Sequence, residues 1–173
     1  MTISMYKVSV PIFVQFLSAQ SGVIDKLAAH IDAKKYDANY YFNLRFFADM
    51  YPYARQVQQA STHAARCCSA LAGVPMPDLP NTEKTLAELK ARLTKTIDFC
   101  KSIKPEQIDG TEDKEIVLKL GDNERKFAGQ TLLLNFILPN FYFHATATYL
   151  ILRHCGLDIG KQDFLGAIPM KMT

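Results

Sequence analysis

Residues 127–152, FAGQTLLLNFILPNFYFHATATYLIL, form a run of 26 residues without Asp, Glu, Lys or Arg. About 20 predominantly apolar residues suffice to cross a bilayer, so the run is either a membrane span or the most buried helix of a soluble fold. Polar groups near a bilayer centre are expensive. The run contains three threonines and also Gln130, Asn135, Pro139, Asn140 and His144. We therefore interpret it as a buried helix whose polar residues are the best candidates for chemistry.

The composition of the chain is that of a soluble globular protein. Its 173 residues are 49% hydrophobic and 21% charged, which suits a single domain over residues 1–173 with a core of its own. The net charge is only +3, and the longest basic cluster is a pair such as Lys34 and Lys35. We therefore expect a small-molecule substrate or ligand, and neither nucleic acid nor a membrane, as the partner.

The four cysteines, Cys67, Cys68, Cys100 and Cys155, lack the spacing of a disulfide scaffold. Two of them are adjacent, which disfavours a bridge between them. At the N-terminus an apolar run follows Lys7, but Pro11 interrupts it and no small-residue cleavage site follows, so no targeting segment is predicted. Reduced thiols without a targeting segment predict a cytoplasmic protein.

The spacing of apolar residues predicts four long helices. They cover residues 3–33, a segment from 50 or 52 to 71, a segment from 81 or 85 to 101, and residues 129–156. Pro11 should kink the first helix or mark its true beginning, and Pro139 should bend the fourth or open its hydrogen bonding locally. In the third helix, Thr85 and Glu88 have the spacing of a capping box, and Arg92 lies outside the apolar positions.

Residues 115–127 have a different pattern, with strand-like residues on both sides of turn formers, and this pattern predicts a short hairpin. The predicted fold is therefore an all-α four-helix bundle with a short β-hairpin between helices three and four. The fourth helix is apolar nearly all round, so it needs cover on more than one side. The hairpin and the C-terminal tail can supply that cover, or a second subunit can, which predicts a homodimer.

Two pairs of residues have spacings that suit chemistry. Asn140 and His144 are four residues apart, so both lie on one helix face, where metal ligands are often found. His63 and Cys67 have the same spacing in the second helix, where an imidazole can join a metal site or activate a thiol. The alternative is structural, since core imidazoles and buried cysteines are common in proteins of this kind.

Several stretches of the chain resemble DinB-like bacterial proteins. The segment FHATATYLILRHCG, preceded by PN and followed by LDIGKQDFLG, looks like the last helix of that superfamily. The stretches DMYPYARQVQ, NTEKTLAEL and EIVLKLG resemble an uncharacterised branch of it. The resemblance implies a four-helix bundle of the up-down-down-up type. It also implies relationship to thiol-dependent transferases, maleylpyruvate isomerase relatives and metal-dependent hydrolases.

Members of the wider superfamily commonly hold a divalent metal with one His of the second helix and an H-x-x-x-H pair of the fourth. By resemblance, His144 is the second His of that pair, Asn140 replaces the first, and His63 lies in the region of the helix-two ligand. The first hypothesis is therefore a metal-dependent enzyme with a degenerate site between helices two and four, holding Zn, Ni, Mn or Fe. The alternative is a non-catalytic dimeric bundle that binds a small apolar ligand or a protein partner.

Overall fold

The structure is a computed structural model, and it describes residues 3–169. Within that range four long helices make the bundle: α1 (Val10–Lys34), α3 (Tyr53–Ala72), α4 (Leu86–Ser102) and α7 (Leu138–His154). The shorter helices are α2 (Ala38–Asn43), α5 (Pro105–Ile108), α6 (Gly129–Thr131) and α8 (Lys161–Leu165). Strands β1 (Glu115–Leu120) and β2 (Asn123–Ala128) lie between α5 and α6. The predicted four-helix bundle, with a hairpin between its third and fourth long helices, is confirmed.

Each long helix packs against two main neighbours. Helix α4 lies against α1 and α3, and α7 lies against α3 and α1. The core between them includes Phe13, Leu17, Val57, Leu93 and Phe141, which have no exposed surface. Close packing along α3 and α7 is what brings the predicted site residues of those two helices together.

Two of the long helices begin at residues that commonly mark a helix N-terminus. Helix α1 begins at Val10, with Pro11 in its first turn, because proline needs no amide hydrogen bond there. The predicted start at residue 3 is therefore wrong, and Pro11 marks the true beginning. Helix α4 begins after Thr85, whose hydroxyl accepts from the Glu88 amide at 3.2 Å while the Glu88 carboxylate accepts from the Thr85 amide at 3.1 Å. The predicted capping box is confirmed.

The hairpin pairs β1 with β2 in antiparallel register, from Glu115 opposite Ala128 to Leu120 opposite Asn123. Gly121 in its turn has a φ of +62°, a conformation that glycine adopts without strain. At the other end, the Gly129 amide donates to the Lys114 carbonyl at 3.0 Å. A Cβ on Gly129 would lie 2.0 Å from the Thr111 carbonyl oxygen, so only glycine permits this crossing.

Phe127 and Ala128 of the uncharged run end β2, and from Gly129 onward the run is a continuous helical segment in which the turn before Pro139 is widened. Residues Leu132–Ile137 form a π-helix between α6 and α7, and the Leu138 amide donates to the Leu133 carbonyl five residues back. Proline has no amide hydrogen to donate to the carbonyl four residues earlier, so a locally wider turn follows from its presence. The predicted opening of hydrogen bonds near Pro139 is confirmed. No helix in residues 3–169 combines the length and apolarity needed to cross a membrane.

Two other segments cover part of this apolar helix. The Phe127 ring of the hairpin lies 5.5 Å from that of Phe136, and the Phe164 ring of α8 lies 5.6 Å from that of Tyr149. Large apolar side chains nevertheless remain exposed along its outer face, notably Phe143 and Leu150. The intramolecular cover that the sequence predicts is present, and it is incomplete.

The loop before α4 is held by a buried arginine. Arg92, which helical spacing places outside the apolar face, is 4% exposed. Its guanidinium donates to the Glu83 carboxylate at 2.9 Å and to the Ser61 hydroxyl at 2.6 Å. It donates further to Pro80, Gln58 and Thr62. An arginine has five N–H donors, and here all five are used, which explains how the charge is tolerated in the core.

Candidate functional site

The structure brings together two of the three predicted ligands. His63 of α3 and His144 of α7 lie with ring centroids 5.6 Å apart and ring planes inclined by only 16°. They are 5% and 8% exposed, so both imidazoles are essentially buried. The pairing arises because α3 and α7 pack along one another, which a sequence pattern within either helix does not specify.

Gln56 orients the His144 ring. The Gln56 amide nitrogen donates to the Tyr51 backbone carbonyl at 3.1 Å, which directs the amide oxygen toward His144. That oxygen lies 2.7 Å from His144 Nδ1. In a neutral imidazole the Nδ1 atom must then carry the proton, and the lone pair is on Nε2. The His144 Nε2 atom has no hydrogen-bond partner among residues 3–169.

Burial keeps both imidazoles neutral. It lowers the pKa of His63 to about 3, with smaller contributions from the positive charge of Arg66 and from His144. It also lowers the pKa of His144 to about 4, and the charge of Arg55 adds to this effect. Desolvation penalises the charged form, so at neutral pH the pair is uncharged and offers nitrogen lone pairs.

Asn140, the third predicted ligand, interacts with its own helix. Its side-chain amide nitrogen donates to the Phe136 carbonyl at 2.7 Å, at the end of the π-helix. In the described part of the chain it forms no hydrogen bond with either histidine. The structure therefore gives Asn140 a role in supporting the widened turn, and its role as a ligand stays a prediction.

The His63 ring is incompletely satisfied, and its neighbour Cys67 is not activated. The Nδ1 atom of His63 is buried and has no partner within residues 3–169. Cys67 is fully buried, and burial together with Cys100 raises the pKa of its thiol far above the usual range. The Cys68 and Cys100 sulfurs lie 3.7 Å apart in the same region. We call Cys67, Cys68 and Cys100, which have no exposed surface, the three buried thiols. The raised pKa keeps the Cys67 thiol protonated, so an imidazole-activated thiol is not supported.

His144 faces an open cleft of about 310 Å³, which we call the His144 cleft. Its lining is half apolar or aromatic and half polar: Met50, Tyr51 and Phe143, with Asp49, Gln56 and His144. The Tyr51 ring is nearly parallel to that of His144, with centroids 6.3 Å apart, and Arg55 lies over Tyr51 at 5.4 Å. His63 lies against His144 and outside this lining.

Gln56 and Tyr51 were not among the predicted site residues. A signal for Gln56 exists, because it precedes His63 by seven residues and so lies on the same face of one helix. Tyr51 lies in the loop before Pro52, and its place beside His144 depends on how that loop crosses α7. No spacing rule within one element could have found it.

The residues present do not supply the ligand set of a catalytic zinc site, which normally has three protein ligands. His63 and His144 are two, and the third position holds an amide that donates to the backbone. The described residues contain no group of three or more His, Cys, Asp or Glu side chains placed to hold one ion. We therefore derive no chemical step through a metal, and the assignment of His144, Asn140 and His63 as metal ligands stays a prediction.

Comparison with known proteins gives the family of this chain. Residues 5–165 match the family model DUF1993, described as a domain of unknown function. A crystal structure of a DinB family member protein from Shewanella denitrificans is similar with a TM-score of 0.86 and 30% sequence identity, over 97% of this chain and 95% of that one. No curated protein matches the chain. The chain therefore belongs to the DUF1993 family and is a DinB-like four-helix bundle protein.

Proposed function

We propose that this DinB-like protein binds a small molecule in the His144 cleft, with His144 Nε2 accepting a hydrogen bond from it. The observation that best supports this proposal is the fixed tautomer of His144, which Gln56 and the Tyr51 carbonyl impose. Ligand sites typically combine apolar walls with a few oriented polar groups. Met50, Tyr51 and Phe143 supply such walls here.

The chemistry available to the cleft follows from the neutral imidazole. A lone pair on Nε2 accepts a hydrogen bond from a hydroxyl, amide or amine group. The lowered pKa makes Nε2 a weak base, so it is suited to accept a hydrogen bond and poorly suited to remove a proton at neutral pH. The His63 ring packs against the His144 ring and helps to bury it. This burial lowers the pKa of His144 and so keeps the imidazole uncharged when a ligand binds.

The test uses uncharged hydrogen-bond donors as probes. Acetamide, benzamide and phenol are added to isotopically labelled protein, and the side-chain resonances of His144 and the amide resonances around Tyr51 are followed by NMR. We expect both sets of resonances to shift in the wild type, and the amide resonances around Tyr51 to be insensitive to the probes in His144→Phe. The exposed His154 gives the matched control His154→Phe, which should behave like the wild type. The proposal is wrong if no probe shifts the resonances of the cleft up to its solubility limit.

A second candidate is the metal-dependent enzyme, a hydrolase or thiol transferase, that the DinB resemblance implies. Two observations favour it: the adjoining imidazoles, and the buried Nδ1 of His63 that lacks a partner in the described residues. With two imidazoles as its protein ligands, such a site would need further ligands from Asn140, solvent or substrate. Weak affinity for a divalent ion is the expected consequence.

Metal titration separates the two candidates. Protein purified without a histidine tag is dialysed against chelator and titrated with Zn²⁺, Ni²⁺, Mn²⁺ and Fe²⁺ by calorimetry. If the metal hypothesis holds, the wild type takes up one ion, His144→Phe loses it, and Asn140→His binds it more tightly by restoring the H-x-x-x-H pair. A wild type that takes up none of the four ions would exclude the second candidate, whatever Asn140→His does.

The homodimer expected from the apolar fourth helix is a separate proposal. It is supported by exposed apolar side chains on the outer face of that helix, where Phe143 and Leu150 are 56% and 44% exposed. Light scattering gives the mass of the particle directly. A monodisperse monomer at concentrations well above those used for binding would contradict it.

A further inference from the structure

A second depression lies beside the His144 cleft along α7, and we call it the apolar groove. It has a volume of about 360 Å³ and is lined mainly by Phe46, Met50, Tyr142, Phe143 and Leu150. Met50 and Phe143 line both the cleft and the groove. The two depressions therefore adjoin each other at these two side chains, and each falls in the size range of a small-ligand site.

The two ends of this combined site differ in chemistry. No charged side chain of residues 3–169 lines the groove. Two of its apolar side chains are exposed to solvent, Phe46 by 40% and Leu150 by 44%. The cleft contains the Asp49 carboxylate, the Gln56 amide and His144. Exposed apolar surface beside a polar pocket is typical of a ligand-binding groove.

The polar end selects the kind of head group. His144 Nε2 is an acceptor, and the Asp49 carboxylate is negative and acceptor-only, so both require a donor opposite them. A carboxylate ligand would be repelled by Asp49 and attracted by the nearby Arg55, but it would offer no donor to either acceptor. An amide, hydroxyl or amine head satisfies both groups.

We infer that the ligand is an amphipathic molecule, with a hydrogen-bond-donating head at His144 and an elongated apolar body along the groove beside Phe143 and Leu150. This inference rests on the proposed function and deepens it, because it assigns the class of ligand. It also gives the apolar side chains exposed on one side of α7 a cover other than a second subunit, namely the body of the ligand.

A series of straight-chain primary amides tests the inference. Acetamide, butanamide and hexanamide share one head group and differ only in the length of the body. Burying a methylene contributes about 0.8 kcal/mol, so each added CH₂ should tighten binding about fourfold if the body enters the groove. Hexanoate at pH 7 has the same body with an anionic head, and we expect it to bind about tenfold more weakly than hexanamide.

Variants of the groove should change the chain-length dependence and leave acetamide binding as it is. Leu150→Asn and Phe46→Asn each place a polar group in the lining, at exposed positions where folding should tolerate it. In both, hexanamide should lose most of its advantage over acetamide. Leu134→Asn is the matched control, because Leu134 is 43% exposed and outside the groove, so its chain-length dependence should equal that of the wild type.

The possible outcomes separate the inference from the function on which it rests. If acetamide shifts His144 and hexanamide binds no more tightly, the inference is overturned and the proposed function stands. If neither amide shifts the His144 resonances, the inference is overturned. If benzamide and phenol leave them unshifted as well, the proposed function fails with it. If Leu150→Asn converts a dimer into a monomer and leaves the chain-length dependence unchanged, a second copy of the chain occupies the groove and the inference is wrong.

Discussion

Acid should destabilise this protein through its two buried histidines, and replacing both should remove most of that effect at mildly acidic pH. The pKa of His63 is lowered from 6.5 to about 3 and that of His144 to about 4, chiefly by burial. The unfolded chain therefore binds protons near pH 6.5 that the folded chain does not bind until much lower pH. Stability is complete above about pH 6.5, and it falls as the pH falls toward the folded values.

The magnitude follows from the linkage relation. At pH 5.5 the pH is about one unit below the pKa of a histidine in the unfolded chain. Proton binding by the unfolded chain then lowers the stability by about 1.4 kcal/mol per histidine. At pH 4.5 the cost is about 2.5 kcal/mol each, with the folded values given above. The pair together therefore removes about 3 kcal/mol of stability at pH 5.5 and about 5 kcal/mol at pH 4.5, a large part of the stability of an ordinary domain.

The assay is urea unfolding followed by circular dichroism at a series of pH values from 7.5 to 4.5. We expect the wild type to lose stability along this series, and the double variant His63→Gln/His144→Gln to be nearly flat between pH 7.5 and 5.5. His154→Gln, at an exposed position, controls for the loss of a histidine as such. A double variant that loses stability as steeply as the wild type above pH 5.5 would refute the reasoning. So would an NMR titration in which His144 protonates near pH 6.5.

Three further predictions concern the core. Arg92→Leu should lower the free energy of unfolding by about 3–5 kcal/mol in urea titrations, because it leaves the largely buried Glu83 carboxylate without its cation. A loss below about 1 kcal/mol would contradict this account. Gln20→Met should raise the free energy of unfolding by about 1 kcal/mol, since Gln20 is 6% exposed and both its amide atoms lack a partner in the described protein, and a destabilised variant would show that these atoms are satisfied by bound water. The three buried thiols should not react with a disulfide reagent in the folded protein, whereas Cys155, which is partly exposed, should react; modification of more than one thiol without urea would disagree with the burial seen here.

The parts of the fold that could be predicted from the sequence are those that local patterns control. Helical spacing located the four long helices, and the capping box at Thr85 and the opened turn at Pro139 depend on residues within a few positions of each other. Arg92 shows the limit of this reasoning. Its spacing indicates a solvated side chain, yet acceptors from α3 and from the preceding loop surround it in the folded chain. Those acceptors lie between 9 and 34 positions away, so no local pattern contains them.

The candidate site was predictable to a similar extent. His144 and His63 could be named because histidine is rare in apolar helical surroundings and because the DinB resemblance gives both a position. Their mutual contact, and the roles of Gln56 and Tyr51, depend on how α3, α7 and the preceding loop are placed in three dimensions. Asn140 was predicted as a ligand because it shares a helix face with His144. Its hydrogen bond to the Phe136 carbonyl depends on the π-helix, and Pro139 is the only sign of that π-helix in the sequence.

The π-helix at Leu132–Ile137 lies between two positions of one segment, Gly129 and His144, that are each constrained by another part of the fold. Upstream of it, Gly129 is fixed by its close approach to Thr111 at the base of the hairpin. Downstream, the His144 ring of α7 stacks on the His63 ring of α3. A regular α-helix would tie the rotation of one end rigidly to the other at 100° per residue. The widened turn changes this relation, so the π-helix sets the rotation of α7, and with it the direction of His144, relative to the base of the hairpin.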